Sequence, residues 1–318
     1  MKRLLTICAV AAFALTLANT TMAAKWDVPE DFATIQEAID SPSVSAGDTI
    51  RVCSGNHFGA LVTKGLEIKG EGGAVINNGP LHPAGLTMGF RLLAGSDGAT
   101  ISHLGFTVDL AIMNGEAIND VSVNHCTFTN TIQAISNWCG SGWQISHNVI
   151  NDLRTQNGGG IGILIADYTG GIVEDNVVSH NKITGTMHIS PGDGGGYNGS
   201  GIVIYADFRW GREGALEIKN NHVVKNDVSL VAQEDPDAPP VNPIDVVAFE
   251  LTDTRDDVNA DPYPVIFDNA IGFNDWRGTV LQEVLTPLDL ENYNDLSQNL
   301  GTNRGHGLHP SIFGPGGN

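Results

Sequence analysis

The chain has 318 residues, with 36 acidic against 16 basic side chains and a formal net charge of −20 at pH 7. An acidic surplus of this size repels a phosphate backbone and argues against nucleic acid as a partner. It also repels polyuronates, unless a local basic groove or bound calcium reverses the field.

The N-terminus reads as a leader. Lys2 and Arg3, the apolar run from Leu4 to Leu17, and Thr21-Met-Ala-Ala24 form the three regions of a secretory signal peptide, with cleavage near Ala23 or Ala24. The expected location is secreted or periplasmic. Removing residues 1–24 takes away two basic and no acidic residues, leaving 14 against 36 and a net charge of −22. The apolar run is too short for a stable membrane span, and no later segment approaches one. Residues 25–300 read as one domain and 301–318 as a Gly-rich tail.

Next comes Val28-Pro-Glu-Asp-Phe-Ala-Thr-Ile-Gln-Glu-Ala-Ile-Asp40, followed by Gly47-Asp-Thr-Ile-Arg-Val52, Gly55 and Leu66-Glu-Ile-Lys-Gly70. Thr34 caps a short predicted helix, Glu37 stands where a capping box needs it, and Ile35, Ala38 and Ile39 form an apolar stripe. Such a helix suits the open end of a stack of strands, where unpaired backbone invites aggregation.

A short string then returns with a 22-residue step: Ile101-Ser-His-Leu-Gly-Phe106, Val123-Asn-His-Cys-Thr-Phe128 and Ile145-Ser-His-Asn-Val-Ile150. The same register continues as Val173-Glu-Asp-Asn-Val-Val178, Ile218-Lys-Asn-Asn-His-Val223 and Ile266-Phe-Asp-Asn-Ala-Ile271. Val, Ile and Phe flank a polar pair, so each copy reads as strand, tight turn, strand, and the period as a solenoid. Leu104, Cys126, Asn148, Asn176, Asn221 and Asn269 occupy one slot, and the four asparagines are expected to stack there in a left-handed corner.

Together these stretches resemble the pectin-lyase-like right-handed parallel β-helix superfamily over roughly residues 26–300. The resemblance implies an all-β fold, a right-handed parallel β-helix (solenoid) with a short N-terminal capping helix, as the handedness of parallel connections also requires. It implies little about chemistry, since the superfamily includes lyases, esterases, hydrolases and proteins without activity. The chain lacks the Gln-Asp-Thr-Leu and Asp-Phe-Ile-Phe-Gly stretches of pectin methylesterases, the Trp-Ile-Asp-His of pectate lyases and the Asp-Pro-His-Asp of mannuronan epimerases. Gly305-His-Gly307 matches a polygalacturonase triplet without the paired Asp motifs that should precede it.

Cys53, Cys126 and Cys139 follow the leader, and an odd number leaves at least one unpaired within the chain. Cys126 lies in the Asn slot, where a buried thiol substitutes readily; buried thiols and a Cys126–Cys139 disulfide are both open. His103, His125 and His147 share another slot. Ligands about 4.8 Å apart along a straight ladder converge poorly on one metal ion, so exposed polar turn residues explain them as well.

A second register aligns Ala134-Ile-Ser-Asn-Trp-Cys139, Leu164-Ile-Ala-Asp-Tyr-Thr169, Ile204-Tyr-Ala-Asp-Phe-Arg209 and Glu250-Leu-Thr-Asp-Thr-Arg255. Stacking would give a column of Asn137, Asp167, Asp207 and Asp253, an aromatic column of Trp138, Tyr168 and Phe208, and a basic one of Arg209 and Arg255. Two readings compete. In one, the acids close turns and the arginines neutralise them. In the other, the strip lines a groove in which the aromatic rings stack on sugars and Asp167, Asp207, Asp253 and Asp257 hold calcium. Arg209 or Arg255 then meets a uronate carboxylate or removes a proton, a pairing of calcium and base that the family resemblance implies.

Insertions at 185–200 and 227–245 bring His188, Asp193 and Tyr197 near this strip, with His188 and Tyr197 as further substrate-binding candidates. The acid-rich run around Asp253, Asp256, Asp257 and Asp261 offers hard oxygen ligands, or a solvated loop. The expected function is lyase-type cleavage of an acidic polysaccharide, with calcium as the expected cofactor. The alternative is a non-catalytic carbohydrate-binding or envelope protein.

Overall fold

The computed structural model describes residues 23–156, 159–190, 197–209, 216–233, 244–255, 259, 261–279, 289–301, 304–306 and 313–314, with the side chains of 197–198, 244–245 and 304–306 excepted. The leader, Asp193, Asp256 and Asp257 lie outside the described residues, as does the side chain of Tyr197. Among the described residues no helix is long and apolar enough to cross a membrane.

The molecule is all-β, built from four parallel sheets of nine, eight, seven and three strands. From Thr100–Ser102 to Gly159–Asp167 the chain visits three sheets in strict rotation. Thr100–Ser102, Ser122–Asn124 and Gln144–Ser146 enter the nine-stranded sheet; Gly105–Phe106, Thr127–Thr131 and Val149–Thr155 the seven-stranded; Leu110–Asn114, Gln133–Trp138 and Gly159–Asp167 the eight-stranded. Each circuit lays one strand against its predecessor, Val123 against Ile101 and Ile145 against Val123. Short apolar strands with polar corners fold this way because every buried backbone group finds its partner in the next circuit. This connectivity is compatible with a β-helix.

The interior between the sheets is one apolar cluster. Phe106 stacks on Phe128 at 5.0 Å, and Phe90 meets Phe106 edge-on at 5.6 Å. The helix Ile35–Asp40 buries Ile35, Ala38 and Ile39, and Thr34 accepts from the backbone of Glu37, as expected. Glu37 reaches back to the Ala33 amide, one residue before the cap.

The six-copy register splits in two. Ile145 pairs with Val178, not Val173, while Ile172–Glu174, Glu217–Lys219 and Ile266–Phe267 form the separate three-stranded sheet. The expected single asparagine column is therefore two ladders. Asn148 belongs with Asn181, Asn226, Asn274 and Asn299, each accepting from the side-chain amide of the preceding member at 2.9–3.0 Å. Asn176 belongs with Asn221, Asn269 and Asn294. Cys126 extends the first ladder as expected: its amide donates to Asn148 Oδ1 and its thiol to the Ile101 carbonyl. The left-handed residue is not the asparagine but the one before it, at φ 53–59° in His103, His125, His147, His180, Asp175, Asn220 and Asp268.

The tail is not wholly beyond the sheets. Arg304–His306 pairs with Ile244–Asp253 as the last strand of the eight-stranded sheet. Phe313, 3% exposed, packs on the outer face of that sheet, where Gln133 Oε1 accepts from its amide and His82 Nε2 lies 2.9 Å from the Gly314 carbonyl.

Candidate functional site

The aspartate strip is out of register with itself. Trp138 pairs with Ala166, Ala166 with Tyr205 and Tyr205 with Thr252; Asp167 pairs with Ala206 and Ala206 with Asp253. Asp167 and Asp253 thus share a row, Asp207 lies one place beyond it, and Asn137 stands beside Ile165. The gapless alignment misplaces Asn137, which instead joins the second asparagine ladder by donating to Asn176 Oδ1 at 3.1 Å.

Each aspartate closes its own turn. Asp167 Oδ1 accepts from the amide of Thr169, Asp207 from Arg209 and Asp253 from Arg255, at 2.7–3.0 Å. These are Asx turns, in which a side-chain oxygen replaces the backbone carbonyl of a turn. Arg209 then donates to both oxygens of Asp207, and Arg255 to both of Asp253 with Nη2 at 2.6 Å. Asp207 and Asp253 are buried, so the forked guanidinium supplies the compensating charge that burial demands. Arg255 also lies 3.8 Å from the Phe208 ring centroid and donates to the Pro262 carbonyl. Both guanidinium groups are engaged in ion pairs, and for Arg209 the Asp207 hydrogen bond is the leading cause of a raised pKa. A guanidinium so held is a poor base for proton abstraction.

The three described carboxylates of the expected calcium set already have partners within the chain. Asp207 and Asp253 each face their own arginine, and Asp167 Oδ1 is occupied by Thr169 and by the Cys139 thiol at 3.1 Å. Among the described residues no group of three or more His, Cys, Asp or Glu side chains can hold a metal ion.

The aromatic column is equally altered. Trp138 is 1% exposed and meets Tyr168 edge-on at 5.4 Å, so it has no face to offer a sugar. Tyr168 and Phe208 are half-buried, the latter beneath Arg255. His188 lies on Lys182–Ile189, with Nδ1 3.3 Å from Gln233 Oε1 and Nε2 3.8 Å from Asp152, so it neighbours Asp152 rather than the strip.

The three cysteines are free thiols. Burial pushes the Cys126 thiol up to about 12; burial, with the charge of Asp167, does the same to Cys139. Neither is a thiolate near neutral pH, so neither is a nucleophile.

Sequence reasoning missed two features. The eight-stranded sheet is apolar on its outer face as well: Met88, Leu110, Met113, Leu164, Val203 and Trp138 form a second cluster with Phe313. The unbroken run Ile161-Gly-Ile-Leu-Ile-Ala166 signals a strand covered on both sides. On the same face Glu250 is buried, accepting from Ser200 at 2.6 Å and from Thr252.

The other feature is an open cavity of about 590 Å³ on the outer side of the seven-stranded sheet. Lys182, Thr184, Asp227, Ser229, Asp275 and Arg277 line it, offering hydrogen-bond donors and acceptors together. Register builds it: Lys182 pairs with Asp227, Thr184 with Ser229, and Asp227 bridges to Asp275. The corner residues two places before these, His180, Lys225 and Phe273, run beside it, and Phe273 is 56% exposed. The spacing of Lys182, Asp227 and Asp275 within the repeat could have revealed the row, had the repeat been aligned on Val178 instead of Val173.

No protein family, curated protein or solved structure matches the chain.

Proposed function

We propose that this is an exported right-handed parallel β-helix protein of the pectin-lyase-like kind that binds a polysaccharide on the outer side of its seven-stranded sheet. The cavity formed by Lys182, Thr184, Asp227, Ser229, Asp275 and Arg277 carries this reading. Sugars present many hydroxyls that both donate and accept, and a cavity of mixed polar side chains beside the exposed ring of Phe273 supplies partners for each. The parallel strands extend the same chemistry from circuit to circuit, which suits a linear polymer. The Sec-type leader supports export to the cell envelope or beyond, where such polymers occur.

Lyase cleavage is the second reading. Arg209, whose side chain is 43% exposed against 14% for Arg255, is the more accessible of the two arginines to a uronate. The bidentate clamp on Asp207 weighs against its acting as a base.

One experiment separates the two. Mature protein is incubated with pectate, alginate, chondroitin and neutral glycans, with calcium or with chelator, while unsaturated products, new reducing ends and gel retardation are followed. Retardation by at least one glycan without new ends is the expected result. Unsaturated products that disappear in Arg209→Ala would establish the lyase instead, and absence of retardation by every glycan would remove the binding reading.

A further inference from the structure

The nine-stranded sheet meets the seven-stranded sheet at a corner occupied, circuit after circuit, by His103, His125, His147 and His180. Their imidazoles are exposed and stack in parallel, with centroids 5.1, 5.2 and 5.0 Å apart and interplanar angles of 7°, 5° and 3°. Lys225 and Phe273 continue the column.

Backbone geometry does not require histidine here. The same left-handed corner recurs five residues earlier in the circuit, where Asp120, Asp175, Asn220 and Asp268 adopt φ 53–59°. Asn and Asp are well suited to that conformation. The chain therefore uses acids and amides at one corner and imidazoles at the other, and the difference lies in what the side chains present to solvent.

The surroundings are nearly free of acid in a chain with 36 of them. On the nine-stranded side the neighbours are Thr100, Ser102, Ser122, Asn124, Gln144, Ser146, Val177 and Ser179; on the seven-stranded side Gly105, Thr127, Thr129, Val149, Asn151, Lys182 and Thr184. Lys182 is the only charge among them. Glu67, Lys69 and Glu71 lie one circuit before His103, and His222, Lys225 and Asp227 one circuit after His180. Asp120, Asp175 and Asp152 stand five residues away along the chain, at other corners.

We propose that this ladder is a proton-gated rail for a linear acidic polysaccharide, running into the cavity assigned above. Imidazole gains its charge near pH 6.5. A row of carboxylates laid along four imidazoles about 5 Å apart pairs with their charged form and not with their neutral form. In an extended 1,4-linked chain alternate sugars turn their carboxylates to the same side, so each inward-facing uronate meets a neighbouring pair of rings. A polyanion binds the charged rings better than the neutral ones, so binding takes up protons and affinity falls as pH rises through the imidazole range.

The inference rests on the polysaccharide reading, and the test keeps the two apart. Retardation by polygalacturonate is measured at pH 5.5 and 7.5 at one ionic strength, for the parent and for His125→Asn/His147→Asn, with a neutral glycan panel and duplex DNA alongside. Asparagine suits the left-handed corner, as Asn220 shows at φ 53°, so the variant should keep its melting midpoint. The parent should bind about tenfold more tightly at pH 5.5 than at 7.5, and the variant should lose most of that difference. Equal affinity at both pH values, or a variant with the parent's pH dependence, overturns the rail. DNA binding as tightly as polygalacturonate at pH 5.5 overturns its assignment to polysaccharide. Neutral glycan binding with no polygalacturonate binding overturns the rail alone; no binding to any glycan overturns both readings.

Discussion

Asn226 shows how much a single side chain holds in this molecule. It donates to the Val178 carbonyl and to Asn274 Oδ1, and accepts from the amide and side chain of Asn181, all within 2.9–3.0 Å and out of contact with water. Leucine has nearly the same size but removes the acceptor of the Asn181 backbone amide and the side-chain donor to the Val178 carbonyl, and a buried unpaired group costs about 1–3 kcal/mol. Asn226→Leu should therefore lower stability by about 2–4 kcal/mol in urea unfolding. Because the asparagine is not the left-handed residue, hydrogen bonding and not backbone strain is the cause. The Asp-x-Arg turns make a matched pair of tests. Arg255→Ala strands the fully buried Asp253 carboxylate and should cost about 3 kcal/mol. Arg277→Ala, in the same turn but with side chains 64% and 38% exposed, should cost less than about 1 kcal/mol. Equal melting midpoints for the two variants would contradict this account of the turns.

At the scale of elements, the strand–corner–strand unit was legible because the apolar pair and its polar centre survive in every copy. The unequal circuits were not. Ladder partners are 33, 45 and 48 residues apart after the 22-residue steps end, since the chain inserts a strand of the three-stranded sheet and longer connections. The insertion left a trace, because the motif repeats five residues on: Asn176 then Asn181, Asn221 then Asn226, Asn269 then Asn274. Choosing the first of each pair extended the histidine column no further than His147 and hid His180. In the candidate strip two readings were open, and the turn-closing aspartates with their paired arginines were one of them; the register was not legible, because Asx turns occur at slightly different depths along successive strands. The covering of the eight-stranded sheet by Phe313 was illegible for a different reason: a contact across 180 residues leaves no periodicity. Phe313→Ala should uncover Leu110, Met113 and Trp138, raising the fluorescence of a hydrophobic dye and speeding proteolysis of the tail. Unchanged dye binding would contradict the packing.

At the scale of the whole molecule, a net charge of −20 and an acid-poor histidine corner are opposite features of one surface. The acids keep the protein soluble and repel polyanions at neutral pH, and the corner admits them where protons are available. Parallel stacking makes the corner straight, so the fold converts a repeated residue into a repeated spacing. The most direct measurement is the affinity of the mature protein for oligogalacturonates of increasing length at pH 5.5. A rail predicts that affinity rises with each added sugar until the chain spans the four imidazoles and the neighbouring cavity, then levels off. Affinity that is already complete at the disaccharide, or absent at every length, would contradict it.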